Sequence, residues 1–167
     1  MFRRLLPVVL LALLATPAVG GPLPDGARVA YFGLTFIDTS TEGDFNGERP
    51  DETERLAMAT AYVAEDMTKR GFTLVSLDPV RAELDRVSNP AKCNGCTFPM
   101  ARKIGADYVL VGEVQKTSNL ILSMNLVLSE AATGRQLAAG VVDIRGNTDV
   151  SWTRGLGYLL RNRIFRQ

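Results

Sequence analysis

The sequence contains no histidine, only two cysteines and a single tryptophan in 167 residues. Without imidazole there is no Ser-His-Asp or Cys-His catalysis, no His-containing zinc site and no CxxCH attachment of a c-type haem. Aromatic residues make up 7% of the chain. That is sparse for the aromatic-lined cleft of a carboxylate-pair hydrolase, so a pairing of Glu113 with Asp149 or Asp143 is set aside. No charge of one sign dominates: 19 Lys+Arg stand against 18 Asp+Glu. Such a balance offers no broad field for nucleic acid or anionic lipid, and neither is expected as a partner. Internal repeats and low-complexity tracts are also missing.

The one long apolar run is N-terminal. MFRRLLPVVLLALLATPAVGG carries Arg3 and Arg4, then Leu5 to Ala15, then Ala18-Val19-Gly20. This is a basic n-region, a core too short for an ordinary membrane span, and a small-x-small cleavage site. Residues 1–20 are therefore read as a cleaved signal peptide, leaving 21–167 as a periplasmic single domain with no stable membrane insertion. Removing two arginines and no acids leaves 17 Lys+Arg against 18 Asp+Glu, a mature charge of −1. The remaining 147 residues suffice for one core.

Along that domain, Ala27–Ile37 is a continuous β-rich run, as in a strand covered on both faces. The polar stretch DTSTEGDFNGER (38–49) reads as a long exposed loop. Asp51 with Glu54 resembles an N-cap and its capping-box partner. Leu56, Thr60, Val63 and Met67 then keep helical spacing up to Gly71. FTLVSL (72–77) follows as a strand, so the β-α-β start should be parallel. A short helix is expected from Asp78 to about Val87 and another in PMARKIGA, closed by Gly105. ADYVLVGEV (106–114) is a further buried strand. Strict alternation puts Leu120, Leu122, Met124, Leu126 and Leu128 on one face of the next. ATGR turns the chain into LAAGVVDI, an antiparallel partner. A last helix, capped by Asp149 or Ser151, presents Trp152, Leu156, Leu160 and Ile164, weakened by Gly155 and Gly157. The order predicts an α/β fold with a single mixed five-stranded sheet, a parallel β-α-β start, an antiparallel C-terminal hairpin and helices packed on it.

ARKIGADYVLVGEV leading into a hairpin with ATGR at its bend resembles a bacterial envelope superfamily. Its members include the N-terminal domain of the Tol–Pal translocation protein, the curli-secretion lipoprotein and the lipoprotein activators of penicillin-binding proteins. CNGC, KIGADYVLVGEVQKTSNLILSMNL and DIRGNTDVSW together resemble a family of small secreted bacterial proteins of unknown function, some found beside quinoprotein alcohol-oxidation systems. The resemblance implies non-catalytic work through contacts with a periplasmic or envelope protein. The chain departs from the lipoprotein members in having no cysteine near the cleavage site.

Three constellations are candidate sites. Cys93 and Cys96 (CNGC) are read first as a structural disulfide, since thiols with two residues between them usually pair in an oxidising compartment. The competing readings are a thiol-disulfide centre ahead of the helix marked by Thr97 and Pro99, and metal handling, which lacks further ligands. Loop 38–49 has an EF-hand-like register, but Arg49 stands where a bidentate acid belongs. Finally, Glu113, Gln115, Lys116 and Asn119 at a strand end, with Asn147, Asp149 and Trp152 at a helix start, have the make-up of a small-ligand pocket or partner patch. The alternative is that Asn147 and Asp149 cap the helix while Trp152 packs on the sheet. No cofactor and no metal are expected.

Overall fold

The computed structural model describes residues 23–166; the predicted signal peptide lies outside them. The fold is the α/β arrangement expected: one mixed five-stranded sheet with helices on both faces. β1 (Arg28–Asp38) leads through α1 (Thr41–Asn46) and α2 (Pro50–Lys69) to β2 (Thr73–Leu74). A 3₁₀ turn (Asp78–Val80), α3 (Arg81–Leu84), a second 3₁₀ turn (Pro90–Lys92) and α4 (Thr97–Lys103) precede β3 (Tyr108–Ser118). The chain closes with β4 (Ile121–Glu130), β5 (Gln136–Arg145), α5 (Asp149–Leu159) and a π-helical turn (Leu160–Ile164). The strand order is β2-β1-β3-β4-β5. β1 runs parallel to both β2 and β3, and β3, β4 and β5 are successively antiparallel.

The continuous apolar character of β1 has its cause in two cores. On one face Val29, Tyr31 and Leu34 join the side chains of α2, α5 and the π-turn; on the other, Ala30 and Phe32 join those of α4 and the 3₁₀ turns. Both odd and even positions reach the first core because β1 is bulged. Its register against β3 shifts between Tyr31 and Leu34, and Gly33 sits there at φ 82°. That left-handed angle suits glycine, and the extra residue reverses the alternation beyond it. Leu34, Phe36 and Asp38 thus share a face with Val29 and Tyr31.

Several local expectations change: the strand expected over 72–77 pairs only at Thr73–Leu74, and the helix expected from Asp78 to about Val87 is a 3₁₀ turn followed by the single turn of α3. The 38–49 segment is not all loop: Ser40 caps α1, its hydroxyl accepting from the Gly43 amide at 3.1 Å. The second helix starts at Pro50 with Arg49 as N-cap, not at Asp51, because proline at the first helical position has no amide to satisfy. Its inward stripe then begins with Glu52 and continues through Leu56, Ala59, Val63 and Met67. Leu120 lies in the β3–β4 turn, 72% exposed, while Leu122, Met124, Leu126 and Leu128 are buried as the alternation requires. Thr148, not Asp149 or Ser151, caps the last helix by accepting from the Ser151 amide at 3.2 Å.

The glycines that weaken α5 are there for space. A Cβ on Gly155 would stand 2.7 Å from Ile144 Cγ2, and one on Gly157 2.8 Å from the Tyr62 hydroxyl. The helix therefore lies tight on the sheet and against α2, burying Trp152, Leu156, Leu160 and Ile164.

Candidate functional site at the carboxyl ends of two parallel strands

β1 and β3 are neighbours whose connections leave in opposite directions: the chain goes from β1 to β2 on one side, and from β3 to β4 on the other. α2 covers one face and α4 the other. In open α/β sheets the crevice outside the carboxyl ends of such a strand pair is where ligands bind. Here those ends carry Asp38 and Lys116, which are register partners across the strands.

Lys116 is wholly buried, and its ammonium is held by carboxylates. Nζ lies 2.7 Å from Glu52 Oε1, 3.0 Å from Asp38 Oδ2 and 3.8 Å from Glu42 Oε2. Asp38 Oδ1 accepts from the Ser40 amide at 2.8 Å and the Ser40 hydroxyl at 2.6 Å. Glu52 Oε1 also accepts from the Asn147 side-chain amide at 2.7 Å. Asn147 Oδ1 in turn accepts from Trp152 Nε1 at 2.9 Å and from Arg55 at 3.1 Å. Arg55 Nε reaches Asp149 at 2.8 Å, and its guanidinium stands 6.0 Å from the Trp152 ring centroid. One network therefore ties the strand ends to α2 and to the start of α5.

Burial works against the Lys116 charge, but hydrogen bonds and attraction from Glu52 and Asp38 outweigh it and hold the ammonium above its ordinary pKa. Burial likewise pushes the Asp38 carboxyl up, and the bonds from Ser40 and Lys116 overcome this, leaving it below the usual range.

The predicted patch divides between two faces of the sheet. Lys116, Asn147, Asp149 and Trp152 meet in this network, and Asn119 joins its edge by bonding Glu42. Trp152 is buried and packs on Phe36, with ring centroids 5.8 Å apart. Glu113 and Gln115 point to the opposite face, as alternation along β3 dictates. Gln115 lies 3.5 Å from the Thr39 hydroxyl. Glu113, 4% exposed, accepts from Asn89 and Asn125 at 3.0 Å each and pairs with Lys92 at 2.9 Å. Burial raises its carboxyl, but these three partners bring it below the usual carboxylate range. Glu113 thereby docks the 3₁₀ turn that leads into CNGC. Cys93 and Cys96 are disulfide-bonded, and Asn94 and Gly95 between them both have positive φ. Among the described residues no group of three or more His, Cys, Asp or Glu is arranged to hold a metal ion. In the EF-hand-like stretch, helix α1 and the Lys116 ammonium occupy the ground a cation loop would need.

Sequence reasoning missed Glu52, Arg55 and the role of Asp38. Glu52 had a visible signal: it sits four residues before Leu56, on the apolar stripe of α2. Beside the network lies a cleft of about 510 Å³ between α1, the following loop and the start of α2. Phe36 and Leu56 form apolar lining; Asp38, Asp44, Glu48 and Glu52 supply carboxylates, and Arg49 the only basic group among its lining residues.

The α/β architecture is similar to folds already represented among solved structures. It is similar to the LpoB C-terminal domain from Salmonella enterica at 20% identity, with a TM-score of 0.52, covering 74% of this chain and 85% of that one. The LpoB C-terminal domain from Escherichia coli aligns at 19% identity and a TM-score of 0.52, covering 78% and 88%. The PelC dodecamer from Paraburkholderia phytofirmans aligns at 17% identity and 0.51, covering 84% and 89%. At these identities the likeness is one of fold. No curated protein matches the sequence significantly. The chain belongs to the family described as Protein of unknown function (DUF2380), which it matches over residues 27–164.

Proposed function

We propose that this is a non-catalytic accessory protein of the bacterial envelope that acts by binding another protein. In this reading it is exported through the signal peptide of residues 1–20 and works in the periplasm as the single domain 21–167. Its partner is an envelope or periplasmic protein, with a quinoprotein alcohol-oxidation system as one setting suggested by the sequence resemblance. The fold shared with LpoB and PelC supports an envelope setting. Among the described residues no helix is long and apolar enough to cross a membrane.

The observation that carries the reading is the closed geometry of the charged groups: the Lys116 ammonium sits 2.7 Å from Glu52 and 3.0 Å from Asp38, and Glu113 is held by Asn89, Asn125 and Lys92. The pKa of Lys116 is raised while those of Asp38 and Glu113 are lowered. Each moves away from neutrality, whereas a catalytic base, acid or amine nucleophile is tuned toward the working pH. An ammonium held charged by two carboxylates has no lone pair to offer. Such a cluster fixes strand ends and helix starts relative to one another, which is what a recognition surface needs. Phe45 on α1 stands 84% exposed beside the cleft, a ready anchor for a partner.

The test is affinity capture from periplasm with the mature chain, followed by reconstitution of the captured pair from purified components. One reproducible protein that binds directly, and binds less tightly to Phe45→Ala, is expected. Turnover of a substrate by the purified chain, or no direct partner, would refute the reading.

A further inference from the structure

We infer that the cleft between α1 and α2 receives a basic side chain, lysine or arginine, presented by a partner polypeptide. The inference rests on the binding role proposed above and names the chemistry that this role would read. Three independent features of the cleft point to a cation with an apolar stem.

The first is uncompensated charge. Asp38 and Glu52 share one ammonium, so the base of the cleft keeps a net charge of −1 with Lys116 in place. Asp44 and Glu48 add to it at the lining, and the one basic lining residue, Arg49, is tied to Asp51 at 3.0 Å. A nearly neutral chain thus concentrates acid at one crevice. A partly desolvated negative site of this kind is stabilised by an incoming positive charge.

The second is an unspent acceptor. Glu52 is only 2% exposed, and both of its hydrogen bonds, from Lys116 and from Asn147, end on Oε1. Oε2 makes no hydrogen bond among the described residues, although Glu52 lines the cleft. An ionised carboxylate carries about four acceptor positions; among the described residues Tyr31 Oη is the one sealed side-chain atom without a partner, so Oε2 is open at the cleft, where an incoming donor can reach it. Metal does not meet the need well, because a compact cation needs several oxygen ligands at once and the neighbouring oxygens of Asp38 and Glu52 Oε1 are already engaged by Ser40, Lys116 and Asn147. A donor on a stem, reaching in from outside, avoids that conflict.

The third is shape. A volume of about 510 Å³ is in the range of small-molecule and side-chain pockets. Phe36 and Leu56 offer apolar surface to a methylene stem while its charged head meets Glu52. Gly43 keeps the wall clear: a Cβ there would stand 2.6 Å from the Asp38 carboxyl carbon.

The experiment uses the full mature chain, isotopically labelled, titrated with acetyl-Ala-Lys-Ala-amide and acetyl-Ala-Arg-Ala-amide. The norleucine tripeptide serves as the neutral control and butylamine as the free-amine arm. Saturable shifts are expected at the amides of Gly43, Gly47 and Thr53 with the basic peptides and not with norleucine. Glu52→Gln should weaken binding at least about ten-fold. Because that variant touches Lys116, Glu48→Gln at the exposed rim provides the second arm. It should weaken binding by about two-fold with an unchanged melting temperature. No shift at these amides, equal shifts with norleucine, or unchanged affinity in Glu52→Gln would overturn the inference. Butylamine binding without peptide binding would overturn the polypeptide assignment. If the captured partner binds Glu52→Gln as tightly as wild type, the accessory role stands and the cleft is not where it operates.

Discussion

Replacing Lys116 with methionine isolates the electrostatic content of the site, because methionine keeps much of the buried stem and removes only the charge. At an effective dielectric near 20, each carboxylate at about 3 Å attracts the ammonium by about 5 kcal/mol. Desolvation of the ions and repulsion between Glu52 and Asp38 offset most of that, so the intact cluster contributes little net stability. The variant does not return to that small figure. It strands Glu52, 2% exposed, and Asp38 without their cation, and breaking a buried pair in this way costs about 3–5 kcal/mol. The sole tryptophan, Trp152, is buried within the same network and reports unfolding in urea directly. The pH dependence has a definite sign. In the wild type Lys116 helps hold the Asp38 carboxyl below its ordinary range, a contribution that is present above the unfolded value of about 3.9 and is lost as pH falls through the folded one. The deficit against wild type should therefore be full at neutral pH and shrink as pH falls below about 4. A deficit below about 1 kcal/mol at pH 7, or one that stays constant with pH, would refute the reasoning.

Three further outcomes test other parts of the structure. Glu113→Gln should lose about 1–3 kcal/mol at pH 7 by weakening its bonds to Lys92, Asn89 and Asn125. Since the wild-type folded pKa is depressed, its contribution is present above the unfolded value of about 4.3 and lost as pH falls through the folded one. Urea melts of both proteins at pH 7 and in the acid limb should converge only in the latter. Gly155→Ala should lower stability by about 1–2 kcal/mol despite better helix propensity, because overpacking against Ile144 and Met124 costs more than the roughly 1 kcal/mol gained. A higher melting temperature would contradict that packing. Cys93→Ser with Cys96→Ser closes no ring and should cost at most about 2 kcal/mol with the fold retained, by the loop-entropy relation for so short a loop. Loss of native circular dichroism would show that the loop does more than close itself.

The mixed sheet was legible because its signals are of three separable kinds: two-sided apolar runs in β1 and β3, strict alternation in β4, and a 3.6-residue stripe in α2 and α5. The site was half legible. Lys116, Asn147 and Trp152 were picked out for their chemistry, but residue type does not say which face of β3 a side chain takes. Counting parity from the buried Val114 separates Lys116 from Glu113. The harder step was Asp38. A bulge inside an unbroken apolar run leaves no mark on the pattern, since every residue of ARVAYFGLTFI suits either face. Gly33 was the one visible hint. Without that reversal Asp38 would face α4 instead of Lys116.

β3 thus carries one buried charge system on each face, and the two differ in what they leave open. Around Glu113 both carboxylate oxygens are engaged, by Asn125 and Lys92 on one and Asn89 on the other, and the charge is matched by Lys92. That system is closed and secures the disulfide loop. Around Lys116 two close carboxylates answer one ammonium, one oxygen of Glu52 makes no hydrogen bond among the described residues, and a cleft lies beside it. Equal pattern at the level of residue types therefore gives unequal consequence: the second system is rigid yet electrostatically incomplete, and rigidity with an unmet charge is the condition under which binding costs least ordering and gains most from a complementary group.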